Sequence, residues 1–185
     1  MKILQTGLDG LKRIQLQIHG DARGFFVERF KASVFEAAGL PTQFEQDNHS
    51  RSAPGILRGL HYQTGPAQGK LVGCVRGRVW DVAVDLRHDS PTFGQSYAQE
   101  LSDVNGELLW IPSGFAHGFC VLGEEPADLF YKVTAPYNPK GDAGIYWADS
   151  DLKISWPIEA PLISERDQKL PRFADFQKQP VRDWS

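Results

Sequence analysis

Short runs of alternating residues, each closed off by glycine or proline, constrain this chain more than any other feature. In Val79-Trp80-Asp81-Val82-Ala83-Val84-Asp85-Leu86, one face holds Trp80, Val82, Val84 and Leu86, and the other Val79, Asp81, Ala83 and Asp85. Successive side chains of a β-strand point to opposite sides, so such a run presents two distinct faces. Leu129-Phe130-Tyr131-Lys132-Val133 follows the same rule, with Tyr131 on the face of Leu129 and Val133. Gly24 to Phe30, Gly69 to Val75, Leu108 to Ile111 and Gly118 to Leu122 also read as strands. The 18 glycines and 12 prolines fall at short intervals and supply turns. Helix is scarce. One candidate runs from Lys31 to Ala38 and is stopped by Gly39 and Pro41. A second follows Ser164, which can cap it, with Glu165 and Asp167 suited to the first turn. The pattern predicts an all-β sandwich or barrel with a few short helices. No linker, repeat or low-complexity segment divides residues 1–185, a length that suits one domain. The polar tail after Pro171 is expected over the surface or against a partner chain.

A hydrophobic share of 41% excludes a disordered chain. No run approaches the roughly 20 apolar residues that span a bilayer, so no membrane is expected. Met1 to Gly7 breaks too soon for a signal peptide, which predicts a cytoplasmic protein. Cys74 and Cys120 lie in apolar strand-like runs and are expected as two buried thiols rather than a disulfide. Residues 1–80 carry 11 Lys and Arg against 6 Asp and Glu, and residues 81–185 carry 9 against 17. Neither half has a dense basic tract or a nucleic-acid motif, so nucleic acid is not an expected partner. The scattered arginines suit either a small anionic ligand or an ordinary solvated surface.

The densest polar constellation is Arg58-Gly59-Leu60-His61-Tyr62-Gln63, followed by Lys70. His61 and Gln63 share a strand face and can point into one cavity. Arg58 has the opposite parity and joins them only if Gly59 permits a bend or bulge. Burying this much polarity is costly without partners or a ligand. A second group is Trp110-Ile111-Pro112-Ser113-Gly114-Phe115-Ala116-His117, in which a tight turn places His117 on the next strand. Tyr131, flanked by apolar residues and Lys132, forms a third, and is either a functional group or a core tyrosine with its hydroxyl satisfied at the edge. In Ser164-Glu165-Arg166-Asp167, a late carboxylate could orient a histidine or simply sit at a helix start.

Specific segments stand in order along the chain: Asp21-Ala22-Arg23-Gly24-Phe25-Phe26-Val27-Glu28, Gln46-Asp47-Asn48-His49-Ser50, Gly55-Ile56-Leu57-Arg58-Gly59-Leu60-His61-Tyr62-Gln63 and Gln68-Gly69-Lys70-Leu71-Val72. Asp81 to Arg87, Ser90-Pro91-Thr92-Phe93-Gly94 and Ile111 to Phe119 extend the series over nearly the whole chain. Together these segments resemble the dTDP-4-dehydrorhamnose 3,5-epimerases of the cupin superfamily. The resemblance implies a jelly-roll β-sandwich, a homodimer, and a nucleotide-linked 4-keto-6-deoxyhexose as substrate. It implies that His61 is the base, Asp167 its partner, Tyr131 the opposing acid and Lys70 the cation beside the developing enolate. It also implies that Arg23, Glu28, Gln46, Asn48, Arg58, Asp81 and His117 bind or support the substrate. Tyr137 would lie against the nucleotide base, with Phe26 as a second stacking surface from this subunit or the other.

The chemistry accounts for those residue types. Removing a proton α to a ketone needs a base of near-neutral pKa and leaves an oxyanion that a cation stabilises. Inversion then needs a proton from the other face. Arg58 and Lys70 would favour neutral His61, whereas Asp167 would favour its imidazolium, and the two influences oppose each other. Many cupins bind a metal through His-x-His, a glutamate and a later histidine. The likeness here retains Gly106, Pro112, Gly114 and His117 but has Gln63 and Gln68 at the other positions, so neither a metal nor any other cofactor is expected. Two alternatives stay open: an epimerase acting at C3 or C5 alone, and a cupin that binds a nucleotide sugar without turning it over.

Overall fold

The computed structural model describes residues 1–184. In chain order the strands are β1 (Lys2–Gln5), β2 (Lys12–Gln15), β3 (Ile18–Asp21), β4 (Gly24–Val27), β5 (Gln46–Ser52), β6 (Leu57–Gln63) and β7 (Lys70–Arg76). They continue as β8 (Arg78–Asp85), β9 (Ser96–Ser102), β10 (Glu107–Ile111), β11 (Phe115–Val121), β12 (Ala127–Val133) and β13 (Asp142–Gly144). Three short helices are α1 (Ala32–Ala37), α2 (Glu165–Gln168) and α3 (Phe173–Lys178). A six-stranded sheet has the order β1-β2-β10-β7-β12-β5, and a five-stranded sheet the order β13-β6-β11-β8-β9. The ladders are antiparallel, and few spatial neighbours are consecutive in sequence, as in a jelly roll.

The alternation places the core between the sheets. Val72, Leu109 and Leu129 from one sheet meet Val79, Ala83, Leu101 and Phe119 from the other. The outer face of the six-stranded sheet packs Leu71, Leu108 and Trp110 against Phe35 of α1, with Phe30 and Phe44 alongside. The outer face of the five-stranded sheet buries Leu60, Val82, Val84 and Ala116 beneath Phe173 and Phe176 of α3. The segment after Pro171 is therefore not just a polar surface tail, because its two phenylalanines, three residues apart, share one helical face and close a core. The strand expected from Gly24 to Phe30 ends at Val27 and pairs only with β3. Both cysteines are buried free thiols.

One polar knot pins the turn that follows β8. The buried Asp85 carboxylate accepts from Arg87 Nε (2.9 Å) and Nη2 (2.7 Å), from the Ser90 and Thr92 hydroxyls (both 2.6 Å), and from the Arg87 amide (3.0 Å). Burial pushes the carboxyl up, but these hydrogen bonds outweigh it and hold Asp85 below the usual carboxylate range. A carboxyl depressed on folding contributes stability above its unfolded pKa and loses it as pH falls through the folded one. Asp85→Asn is expected to cost on the order of 3 kcal/mol at neutral pH by breaking the buried Asp85–Arg87 pair, which the exposed Asp9 carboxylate, 3.5 Å from Arg87 Nη1, replaces only in part. Thermal melts from pH 7 to pH 3 check this: the gap between variant and wild type narrows toward acid.

Candidate active site

The site begins at an irregularity in β6. His61 pairs with His117, but Arg58 pairs with Phe119, so Gly59 and Leu60 together face Gly118. This β-bulge requires glycine on both strands. Gly59 has φ +129°, and a Cβ there would lie 2.5 Å from Gly118 Cα. A Cβ on Gly118 would lie 2.7 Å from the Arg58 carbonyl oxygen. The extra residue brings Arg58 to the face of His61 and Gln63, while Leu60 and Tyr62 turn into the outer core.

Other strands continue their inward register with polar residues. The face of β7 that carries Val72 and Cys74 carries Lys70; that of β12 carries Leu129, then Tyr131; that of β11 carries Phe119, then His117. These side chains, with Gln46, Asn48 and Tyr137, line one cavity of about 440 Å³. His61 and Tyr131 reach it from different sheets.

His61 Nε2 lies 2.7 Å from Asp167 Oδ1, and Oδ2 accepts the Gly59 amide at 3.2 Å. Ser164 caps α2 as the sequence predicts, accepting the Asp167 amide at 3.0 Å. Burial pushes the Asp167 carboxyl up, yet the His61 contact and the Gly59 amide bring it below the usual range. Asp167 stands behind the histidine and lines an adjoining cleft with it rather than the main cavity. Lys70 is buried, its Nζ 3.5 Å from the His61 carbonyl, and burial lowers its pKa to about 8 against the opposing pull of Asp142 and Asp81. Burial raises the Tyr131 phenol, with Arg58 acting the other way. Asp81 also stands behind the wall, its Oδ2 2.9 Å from His117 Nε2 and its Oδ1 buried without a hydrogen-bond partner.

At the mouth, the Tyr137 hydroxyl donates to Asp142 Oδ2 at 3.0 Å, and Arg166 Nη2 donates to Asp142 Oδ1 at 2.8 Å. Sequence reasoning singled out neither Asp142 nor Arg166 as a site residue. The one available signal was that Arg166 precedes Asp167. Gln46 accepts the Tyr137 amide at 2.9 Å and donates to Asn48 at 2.7 Å, and Arg58 Nε donates to Ser52 at 3.0 Å.

Arg23, Phe26 and Glu28 are not brought into this chain's cavity. Arg23 and Phe26 lie on the β3–β4 hairpin and Glu28 just beyond it; Phe26 is 70% exposed and Arg23 pairs with Asp21. The physical reason is that β3 and β4 form a sheet of their own, joined to neither larger sheet.

The positions where cupins carry further metal ligands do not fit a divalent ion. Gln63 Nε2 donates to the carbonyls of Pro66 (2.8 Å) and Pro136 (3.0 Å), and its Oε1 accepts the Asn138 amide (2.8 Å). Gln68 Nε2 donates to the Ala135 carbonyl at 2.9 Å. Neutral amides already committed to backbone are poor metal donors. Among the described residues, no group of three or more His, Cys, Asp or Glu is placed to hold a metal.

A family profile described as dTDP-4-dehydrorhamnose 3,5-epimerase matches residues 5–175. The dTDP-4-dehydrorhamnose 3,5-epimerase of Pseudomonas aeruginosa is 50% identical over 95% of this chain and 97% of its own length. That of Shigella flexneri is 49% identical over the same shares. A crystal structure of dTDP-6-deoxy-D-glucose-3,5-epimerase from Legionella pneumophila, in complex with dTDP-4-keto-L-rhamnose, superposes with a TM-score of 0.87 at 46% identity, covering 93% of this chain and 98% of that one. The arrangement of sheets, the His61–Asp167 pair beneath a shared cavity and these matches together place the chain in the dTDP-4-dehydrorhamnose 3,5-epimerase family, on a cupin-type jelly roll.

Proposed function

We propose that residues 1–185 form one epimerase domain that inverts C3 and C5 of dTDP-4-dehydro-6-deoxy-D-glucose, giving dTDP-4-dehydro-L-rhamnose. The observation that carries this reading is the imidazole of His61 and the phenol of Tyr131 lining one cavity from different sheets, with the Lys70 ammonium beside His61. His61 takes the proton α to the ketone, and Asp167 steadies the imidazolium that forms. The electron pair of the broken C–H bond moves to the ketone oxygen, where Lys70 meets the negative charge. The pair returns to carbon as Tyr131 delivers a proton to the opposite face; Tyr131 is reprotonated from solvent and His61 releases to solvent the proton it took, which resets both for the second carbon. One C–H bond breaks and one forms at each carbon, so the sequence needs no electron acceptor. Arg58 and Arg166 suit the diphosphate. Asn48 and the His117–Asp81 pair line or brace the sugar end, while Gln46 holds the backbone of Tyr137, which offers a stacking face to the base.

The working form is a homodimer, in which Arg23, Phe26 and Glu28 of one protomer complete the cavity of its partner. A hairpin with two phenylalanines 63% and 70% exposed supports this, because apolar surface of that kind normally finds a cover. The two free buried thiols suit a reducing cytoplasm.

Solvent deuterium uptake, read at C3 and C5 by NMR, tests the chemistry. His61→Ala is expected to abolish uptake at both carbons. Tyr131→Phe is expected to keep uptake while losing inversion, since His61 alone returns deuterium to the face it deprotonated. Uptake unchanged in His61→Ala overturns the assignment, and uptake confined to one carbon in wild type makes this a single-site epimerase.

Lys70 gives a pH signature. With its pKa lowered to about 8, its charge is lost above that value. The rate is expected to fall as pH rises through this range, and Lys70→Met is expected to lose this alkaline limb along with about 10²–10³ in rate. The dimer is tested by complementation: co-expressed His61→Ala and Arg23→Ala chains should recover about a quarter of wild-type activity through mixed dimers, each with one intact cavity.

A further inference from the structure

We propose that Gln63 is a positioning residue for Tyr137, whose backbone it clamps so that the ring is held ready at the nucleotide end of the cavity. The inference rests on the reading that Tyr137 faces the nucleotide. Tyr137 belongs to neither sheet: it follows β12 on an irregular stretch and is 56% exposed. An exposed aromatic on such a stretch stacks well only if its backbone is fixed from below. Three glutamine side chains do that fixing. Gln68 holds the Ala135 carbonyl at 2.9 Å, Gln46 accepts the Tyr137 amide at 2.9 Å, and Gln63 takes both neighbours of Tyr137, the Pro136 carbonyl at 3.0 Å and the Asn138 amide at 2.8 Å. Gln63 is buried, and its remaining hydrogen bond, 2.8 Å to the Pro66 carbonyl, ties the same stretch to the turn after β6.

Place in the strand gives this clamp its consequence. Gln63 follows His61 by two residues on the same face of β6, which fixes their separation at roughly 7 Å along the strand. The strand that carries the proposed base therefore also carries the anchor of the aromatic platform. A ligand gripped at both ends is registered against the base through β6. Without the Gln63 amide, two carbonyls and one amide lose their partner, and the platform must shift or admit water.

Calorimetry with dTDP and steady-state kinetics on the full chain test this as a double-mutant cycle. Gln63→Leu is expected to weaken dTDP about tenfold and to raise KM by a similar factor, with kcat reduced less than about threefold. In a Tyr137→Ala background the same substitution is expected to cost less than about twofold, because the ring it positions is gone. An equal cost in both backgrounds, a loss confined to kcat, or unchanged dTDP affinity overturns the proposal. If Gln63→Leu does not fold, Gln63→Glu takes its place in the cycle, since it keeps the Asn138 contact and loses the two donations. Tyr137→Ala alone reports on the underlying reading: if it leaves dTDP affinity intact, the platform itself is wrong. If it weakens dTDP while the Gln63 variants do not, only the clamp fails.

Discussion

At Gly59 and Gly118, two strands come so close that neither tolerates a Cβ, and the chemistry-bearing face of the sheet is organised around that contact. An unbroken β6 would point Arg58 away from His61. With one extra residue opposite Gly118, Arg58, His61 and Gln63 all face the cavity. A bulge also leaves backbone polar groups outside the regular ladder, and each needs a partner. Leu60 exchanges hydrogen bonds with Ile145, and the Gly59 amide goes to Asp167 Oδ2. The backbone group set loose by the bulge thus helps to seat the carboxylate that holds His61.

The electrostatics around that bulge are a compromise between burial and charge. Two histidine–carboxylate pairs stand on adjacent strands, since His61 and His117 are register partners on β6 and β11. Their carboxylates come from different places, Asp167 from a capped helical turn and Asp81 from β8. Lys70 sits deep enough for its pKa to fall to about 8, low for an amine but high enough to keep it mostly cationic at neutral pH. A cation in that state stabilises new negative charge more strongly than a surface lysine would, because little water screens it. Its desolvation weakens the fold locally, and the apolar layers around it offset that cost.

Much of this was legible in the sequence wherever burial imposed a period. The alternation in β8 and β12 separates the two faces as the structure has them, and Gly59 marks the place where Arg58 could change sides. Legibility fails where no apolar period exists. Strand β5, Gln46–Ser52, is polar throughout because its inner face lines the polar cavity and its outer face, with Asp47, His49 and Arg51, is exposed at the end of the sheet. In α3, two phenylalanines amid charged residues leave too short a pattern to stand out. Asp142 and Arg166 meet across 24 positions of sequence, and only the fold brings them to the mouth together with Tyr137. For Arg23 and Phe26 the motif is plain, but a separate hairpin places them off their own chain's cavity.

A sandwich has a geometric advantage for inverting a carbon centre. The proposed reaction needs a base on one face of the sugar and an acid on the other, and two facing sheets supply both without either residue leaving regular structure. Groups on strands are held more rigidly than groups on loops. The cost falls at the edges, where the proposed grip on a nucleotide rests on residues beyond the sheets, such as Tyr137. The glutamines at what would be metal-ligand positions in other cupins meet that need. Their amides turn toward the backbone of the irregular stretch, so residues at the end of β6 and just before β7 brace the rim of the sandwich. Such a change from ligating to bracing takes an imidazole to an amide at the position of Gln63 and a carboxylate to an amide at that of Gln68, and an amide both donates and accepts.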